Sequence, residues 1–159
     1  MAYTDYEFYK TKYYGDVVPE EDFLKYTERA CDRIDNMTFN RLVDGLPTEL
    51  RANVMVQKAV CAVADVLYQI DAIRKASMET VGTIKHEDGT VTGKRISSVS
   101  SGSESISYVT GTNSTGGDIY SQAAMNKQVE NVLVRQTATE YLHGIADNNG
   151  VNLLYAGVR

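Results

Sequence analysis

The most regular hydrophobic pattern of this chain lies at about residues 48–75. Apolar residues recur there at helical spacing in two neighbouring stripes. One stripe consists of Val56, Val60, Val63, Leu67 and Ile70, and the other of Met55, Ala59, Ala62, Val66 and Ile73. Two stripes cover most of a helix's circumference, so the pattern predicts a long helix at the centre of a helical bundle. Residues 54–66 are rich in β-branched side chains, which leaves a buried strand as the competing interpretation, but the length of the segment favours the helix.

A short aromatic helix is predicted near the N-terminus, at about residues 5–14. Thr4 and Glu7 have the spacing of a capping box, and Gly15 is suited to the left-handed conformation that ends a helix. The aromatic residues of this segment are Tyr6, Phe8, Tyr9, Tyr13 and Tyr14. They are too many for one stripe, so we expect this helix to contact protein on more than one side.

A second helix is predicted to begin near Pro19 and to end at about Asn36. Proline fits the first turn of a helix, and the three acids at positions 20–22 favour the positive end of the helix dipole. The predicted apolar face consists of Phe23, Thr27, Ala30, Ile34 and Met37. A further turn of helix is expected at residues 39–42.

The composition changes abruptly at residues 77–118, where Ser, Thr and Gly supply more than half of the positions. Within it, Asp88 and Gly89 are flanked by alternating β-forming residues, a pattern that predicts a β-hairpin at residues 83–92. A weaker strand-like pattern follows at residues 96–109. The segment has too few bulky apolar residues to form a core of its own, so it is either a disordered loop or an arm that orders against another surface.

A last helix is predicted from residue 119 or 121 to Ile145, and a short apolar tail follows at residues 151–159. Its inner side is predicted to carry Val129, Val132, Leu133, Ala138, Leu142 and Ile145. At 159 residues the chain has the length of one domain. The predicted fold class is therefore mainly α, a small bundle of about four helices with an inserted β-hairpin or extended arm.

Composition and charge exclude several functions. The chain has 16 basic and 21 acidic residues, and no window concentrates lysine and arginine as a protein that grips duplex DNA requires. Cys31 and Cys61 lie in helical patterns and are expected to be small core residues of a protein in a reducing cytosol. The sequence has no signal-peptide pattern and no apolar run long enough to span a membrane.

No pattern of catalytic or ligand-binding residues stands out. There is no nucleotide-binding loop, no nucleophile motif and no metal-binding cluster, and the serines of residues 97–107 have no base beside them. We therefore expect neither catalytic residues nor a cofactor nor a metal. By elimination, the chain is expected to be a binding or structural protein and not an enzyme.

Several segments resemble one known family. They are the aromatic first helix, the run Tyr14-Gly15-Asp16-Val17-Val18-Pro19-Glu20-Glu21-Asp22-Phe23, the runs Ala30-Cys31-Asp32-Arg33-Ile34-Asp35 and Thr38-Phe39-Asn40-Arg41-Leu42, and the C-terminal Leu153-Leu154-Tyr155 followed by Gly157-Val158. In this order they resemble the head–tail connector (adaptor) proteins of long-tailed bacteriophages. The resemblance is specific over about residues 6–42 and at the tail.

The resemblance implies a structural virion protein that forms a ring, usually a dodecamer. Such a ring lies beneath the portal protein at the virion neck, extends the DNA channel and offers a docking surface to the head-closure protein or the tail. Genomic DNA would pass through without sequence-specific binding, and the protein would be made in the host bacterial cytoplasm without membrane attachment. The acidic balance is compatible with such a conduit, because a basic lining would bind phosphate.

Three sets of interface residues are predicted within this framework. The portal-docking tail is predicted to consist of Leu153, Leu154, Tyr155 and Arg159. The arm that points to the channel or to the next ring is predicted to carry Lys85, His86, Glu87, Asp88, Gly89, Lys94 and Arg95. The contacts between subunits are predicted to include Tyr6, Tyr9 and Tyr13.

A small terminase subunit is the alternative. Such proteins also form rings, but they recognise packaging-site DNA with a basic helix near the N-terminus. The first two predicted helices of this chain are rich in acids instead.

Overall fold

The computed structural model describes residues 2–79, 81–85, 91–100, 105–109 and 119–157; of these, residues 78–79, 81–85, 91–100 and 105–109 are described by their backbone alone. The chain is mainly helical. Its helices are α1 (Tyr6–Phe8), which continues as a π-helix (Tyr9–Tyr13), α2 (Glu20–Met37), α3 (Leu50–Glu79), α4 (Ile119–Met125) and α5 (Lys127–Leu142). Strands β1 (Val81–Lys85), β2 (Val91–Ser100) and β3 (Ser105–Val109) lie between α3 and α4 in the sequence.

The central helix is confirmed. Helix α3 contacts α2, α4 and α5, and every residue of its first predicted stripe is buried. Ala59, Ala62 and Val66 of the second stripe are buried as well, while Met55 and Ile73 are partly exposed. A helix that is apolar around most of its circumference belongs in the middle of a bundle. The strand interpretation of residues 54–66 is therefore wrong.

Helix α2 also forms as predicted, with its first turn occupied by the three acids after Pro19. Four of the five residues of its predicted apolar face are buried, and Met37 is half-buried. Tyr26 and Cys31 are buried in addition. The predicted helical turn at residues 39–42 is wrong: Phe39 and Asn40 have φ angles of 56° and 60°, which no right-handed helix accommodates.

The first helix differs from the prediction at both ends. Asp5 accepts the capping hydrogen bond from the Phe8 N–H, whereas Thr4 is buried beside the Cys61 thiol. At the other end Tyr14, and not Gly15, has the left-handed conformation. Gly15 instead lets the Tyr9 ring pack directly against the backbone, because a Cβ at position 15 would lie 2.1 Å from Cε2 of Tyr9.

The predicted last helix is two helices. Asn126 interrupts it in an extended conformation and caps α5 through the Gln128 N–H. Helix α5 ends at Leu142, so Ile145 is outside it, although buried. Val132, predicted to face inward, is 54% exposed. The buried positions of α5 are Glu130, Val134, Ala138 and Leu142.

The three strands are antiparallel in the order β1-β2-β3. Residues 86–90, which include the predicted Asp-Gly turn, lie outside the described residues. The β-hairpin arm therefore stays a prediction.

Candidate docking surfaces

The C-terminal segment lies against the bundle. Leu153 is fully buried, and its N–H donates to the Ile145 carbonyl over 2.8 Å. Leu154 is half-buried against the same core. Leu153, predicted to belong to the portal-docking tail, is therefore a core residue, and among the described residues of that predicted tail Leu154 and Tyr155 have exposed surface.

Arg41 determines the position of this segment. Its Nη1 donates to the Tyr155 carbonyl over 2.6 Å and to the Asn152 and Leu153 carbonyls over 3.4 Å. Its Nε lies 3.7 Å from Oδ2 of Asp147. A guanidinium has five N–H donors in a rigid plane, so one side chain satisfies several backbone carbonyls at once. Residues 152–155 are thereby attached to the turn that follows α2.

An apolar surface is exposed around this attachment. Phe39 is 49% exposed, Val43 is 63% exposed and Tyr155 is 50% exposed. The Arg41 guanidinium lies 5.7 Å from the centroid of the Phe39 ring. We call the exposed parts of Phe39, Arg41, Val43 and Tyr155 the C-terminal surface. Aromatic residues with an arginine are the composition that protein interfaces favour.

The backbone beneath the C-terminal surface is strained. Phe39 and Asn40 are consecutive left-handed residues without being glycine, and each such residue costs about 1–3 kcal/mol. The conformation is enforced by its neighbours, because Thr38 and Leu42 on either side are fully buried. The Phe39 ring is thus held at the surface by a conformation that the core imposes.

Tyr9, predicted at a subunit contact, is fully buried. Its hydroxyl donates to Oδ1 of Asp65 over 2.7 Å and accepts from the N–H groups of Val17 and Val18 over 3.0 Å. Burial raises the pKa of Asp65, although hydrogen bonds from Tyr9 and Tyr13 act in the opposite direction. Tyr9 therefore connects α1 to α3 within one subunit and has no free surface to offer a neighbour.

The other N-terminal tyrosines differ in exposure. Tyr6 and Tyr13 are half-buried and stack on Tyr9, each with its ring centroid 5.7 Å away. Tyr14, directly after the last helical residue, is 80% exposed.

An ionic cluster around one buried carboxylate joins three helices. Glu130 is fully buried and binds Nη2 of Arg33 over 2.9 Å, Nη2 of Arg74 over 2.7 Å, and the Lys127 ammonium. Burial alone would raise the pKa of Glu130, but the bonds from Lys127 and Arg74 outweigh it and lower that pKa. The three cations share this one carboxylate, and removal of a partner from a buried charge is destabilising, so we assign the cluster to the packing of the three helices.

The arm residues are only partly described. Lys85 lies on β1, and Lys94 and Arg95 lie on β2, where their backbones pair with Gly82 and Val81 of β1. The remaining predicted arm residues, His86, Glu87, Asp88 and Gly89, lie outside the described residues, as does Arg159 of the tail.

Among the described residues, a cavity of about 710 Å³ lies between residues 47–51 and 143–150. Its wall includes Arg51, His143 and Asn148, and Asn148 accepts hydrogen bonds from Thr48.

The described residues contain no group of three or more His, Cys, Asp or Glu side chains that could hold a metal ion. None of their helices is long and apolar enough to cross a membrane. Cys31 and Cys61 are free and buried, as predicted, and burial raises the pKa of Cys31 to about 11 and that of Cys61 to about 12.

No protein-family model, no curated protein and no solved structure matches this chain. Its function has to be argued from its residues and surfaces.

Proposed function

We propose that this chain is a structural virion protein, a ring-forming head–tail connector that binds below the portal, extends the DNA channel and receives the head-closure protein or the tail. The proposal starts from the resemblance of residues 6–42 and of the C-terminal segment to that family. A mainly helical bundle is the architecture that the resemblance implies.

The C-terminal surface is the observation that carries the proposal. Phe39 and Tyr155 are about half exposed, the Phe39 ring lies beside Arg41, and Arg41 binds the Tyr155 carbonyl, so backbone and side-chain contacts within the subunit already hold this surface. A preformed surface loses little conformational entropy on binding. This suits attachment to a large rigid partner such as a portal ring. Docking is assigned to Tyr155 with Phe39 and Val43, with Leu154 at its edge and Arg159 following it.

Co-sedimentation with portal-bearing capsids tests this assignment. The variant Val43→Asp adds a charge to the C-terminal surface without changing the core, because Val43 is exposed. We expect it to reduce binding about tenfold or more, since a buried unpaired charge is costly at an interface. Leu50→Asp is the matched control, because Leu50 is 79% exposed at the start of α3, outside this surface. It should bind as the wild type does.

A truncation that tests docking has to keep the buried Leu153. Removal of residues 156–159 leaves Leu153 in place, whereas removal of residues 151–159 would take a fully buried side chain out of the bundle. Equal binding by the wild type and Val43→Asp would overturn the assignment of the surface. A specific shift of packaging-site DNA, with no association with capsids, would favour the small terminase interpretation instead.

The arm is part of the same proposal. We infer that residues 77–118 form a hairpin arm directed to the channel or to the next ring, with Lys85, Lys94 and Arg95 on its strands and residues 86–89 at its turn. Hydrogen exchange of the free protein and of assembled particles tests it. We expect the protection of β1 and β2 from hydrogen exchange to rise on assembly. Equal protection in both states would contradict ordering on assembly.

A further inference from the structure

Self-association is part of the proposed function, on which this inference rests, but that function does not say which surfaces meet. Two helix faces that no described part of the chain covers differ in charge, and each has an exposed aliphatic residue at its centre. Leu24 on α2 is 65% exposed, and Val132 on α5 is 54% exposed. We propose that the α2 face of one copy binds the α5 face of the next copy, head to tail.

The α2 face is an acidic groove. A cavity of about 530 Å³ opens between residues 2–6 and the first two turns of α2, with Leu24 and Phe23 in its wall and Asp5 and Glu20 at its rim. The exposed residues around Leu24 on α2 add Glu21 and Asp32 to the acids, against Lys25. We call this surface the acidic groove.

The inner wall of the acidic groove includes a polar group without a partner. Thr27 is fully buried, and its Oγ1 has no hydrogen-bond partner among the described residues. A buried hydroxyl without a hydrogen bond is unfavourable by about 1–3 kcal/mol. Because this hydroxyl has no accessible surface, what the acidic groove offers to a partner is its apolar wall and its acidic rim.

The α5 face has the complementary chemistry. Gln128, Val132 and Gln136 follow one another at intervals of four residues, and Arg135 lies one turn beyond Val132. All four side chains are exposed, and no acid stands among them. Glu140 is the nearest exposed acid further along the helix. We call this surface the basic face, since it presents an aliphatic centre, two amides and a guanidinium.

The two faces fit each other better than either fits itself. Val132 would meet the exposed Leu24 side chain in the acidic groove, and Arg135 would lie near its acidic rim. Contact of the acidic groove with a second acidic groove would bring like charges together. A contact between two different faces is heterologous, and such contacts produce rings or filaments and not closed dimers.

Sedimentation velocity of the purified chain at low salt tests the proposal. Leu24→Lys blocks the acidic groove by charge repulsion, and Val132→Glu blocks the basic face in the same way. We expect the wild type to form species larger than a dimer. Each variant alone should associate with an affinity reduced about tenfold or more. An equimolar mixture of the two variants should recover assembly beyond a dimer, because the introduced ammonium and carboxylate face each other at one interface and two unchanged faces meet at the other.

The controls separate the possible failures. Leu50→Lys changes an exposed leucine outside both faces and should assemble as the wild type does, and circular dichroism should show that each variant is folded. A wild type that stays monomeric throughout, or variants that assemble like it, would overturn the inference. Assembly through these faces without capsid binding would support the inference and refute the proposed function. Capsid binding with a different assembly interface would support the proposed function and refute the inference.

Discussion

At the scale of single residues, one hydroxyl organises the first eighteen positions. The Tyr9 hydroxyl is bound to Asp65 on α3 and to the backbone of Val17 and Val18, so one side chain connects α1, the loop before α2 and the central helix. Gly15 allows this, because it leaves room for the buried Tyr9 ring. The sequence suggested that Gly15 ends the helix, whereas its role is to let the Tyr9 ring pack against the backbone.

Gly15→Ala should destabilise the protein. The added Cβ would lie 2.1 Å from Cε2 of Tyr9, and the ring cannot move without breaking its three hydrogen bonds. Overpacking of this kind costs about 1–3 kcal/mol. Urea unfolding measures it. In a Tyr9→Leu background the same substitution should cost much less, and an equal cost in both backgrounds would refute the explanation.

Asp65 and Glu130 should give the stability opposite dependences on pH. Burial raises the pKa of Asp65 above its ordinary 3.8. The protonated carboxyl therefore stabilises the folded state fully below pH 3.8, and this stabilisation is lost as the pH rises through the folded-state pKa. The pKa of Glu130 is below its ordinary 4.5, so its stabilisation is present above 4.5 and is lost as the pH falls through the folded-state pKa.

The two matched variants test these signs. Relative to the wild type, the free energy of unfolding of Asp65→Asn should rise from about pH 4 to about pH 7. That of Glu130→Gln should fall as the pH rises toward 4.5. Urea titrations at several pH values give both slopes, and slopes of the same sign would be incompatible with these environments.

At the scale of elements, the hydrophobic periodicity predicted α2 and α3 with most of their buried residues. It could not predict the break at Asn126 or the burial of Glu130, because the partners of Glu130 lie far away in sequence at Arg33 and Arg74. The same limit explains the error at Val132. An apolar residue at the right spacing is exposed there because no described element covers it.

Arg74→Met should loosen the contact of α3 with α4 and α5. Arg74 donates to the Ala123 and Ala124 carbonyls of α4 and to Glu130 of α5. Loss of hydrogen bonds to a buried charge costs about 1.5–3 kcal/mol, seen as a lower free energy of unfolding and faster hydrogen exchange in α4. The neighbouring Lys75→Met, at an exposed position, is the control and should stay within about 0.5 kcal/mol of the wild type.

At the scale of the whole molecule, the bundle leaves several apolar residues exposed on different sides. The C-terminal surface, the acidic groove and the basic face are separate, and an apolar patch beside polar residues marks an interaction site. The sequence predicted that much of this chain serves its neighbours, but it placed Leu153 and Tyr9 at interfaces although both are buried. Apolar character alone does not distinguish a core residue from a docking residue, since burial depends on the rest of the fold.

Negative-stain imaging of the wild-type protein mixed with the portal protein proposed as its partner tests the central claim most directly. The proposed function predicts a ring of this protein stacked on one end of the portal, lost with Val43→Asp and retained with Leu50→Asp. Portals that carry no added ring at saturating protein, together with a shift of packaging-site DNA by the same preparation, would contradict it.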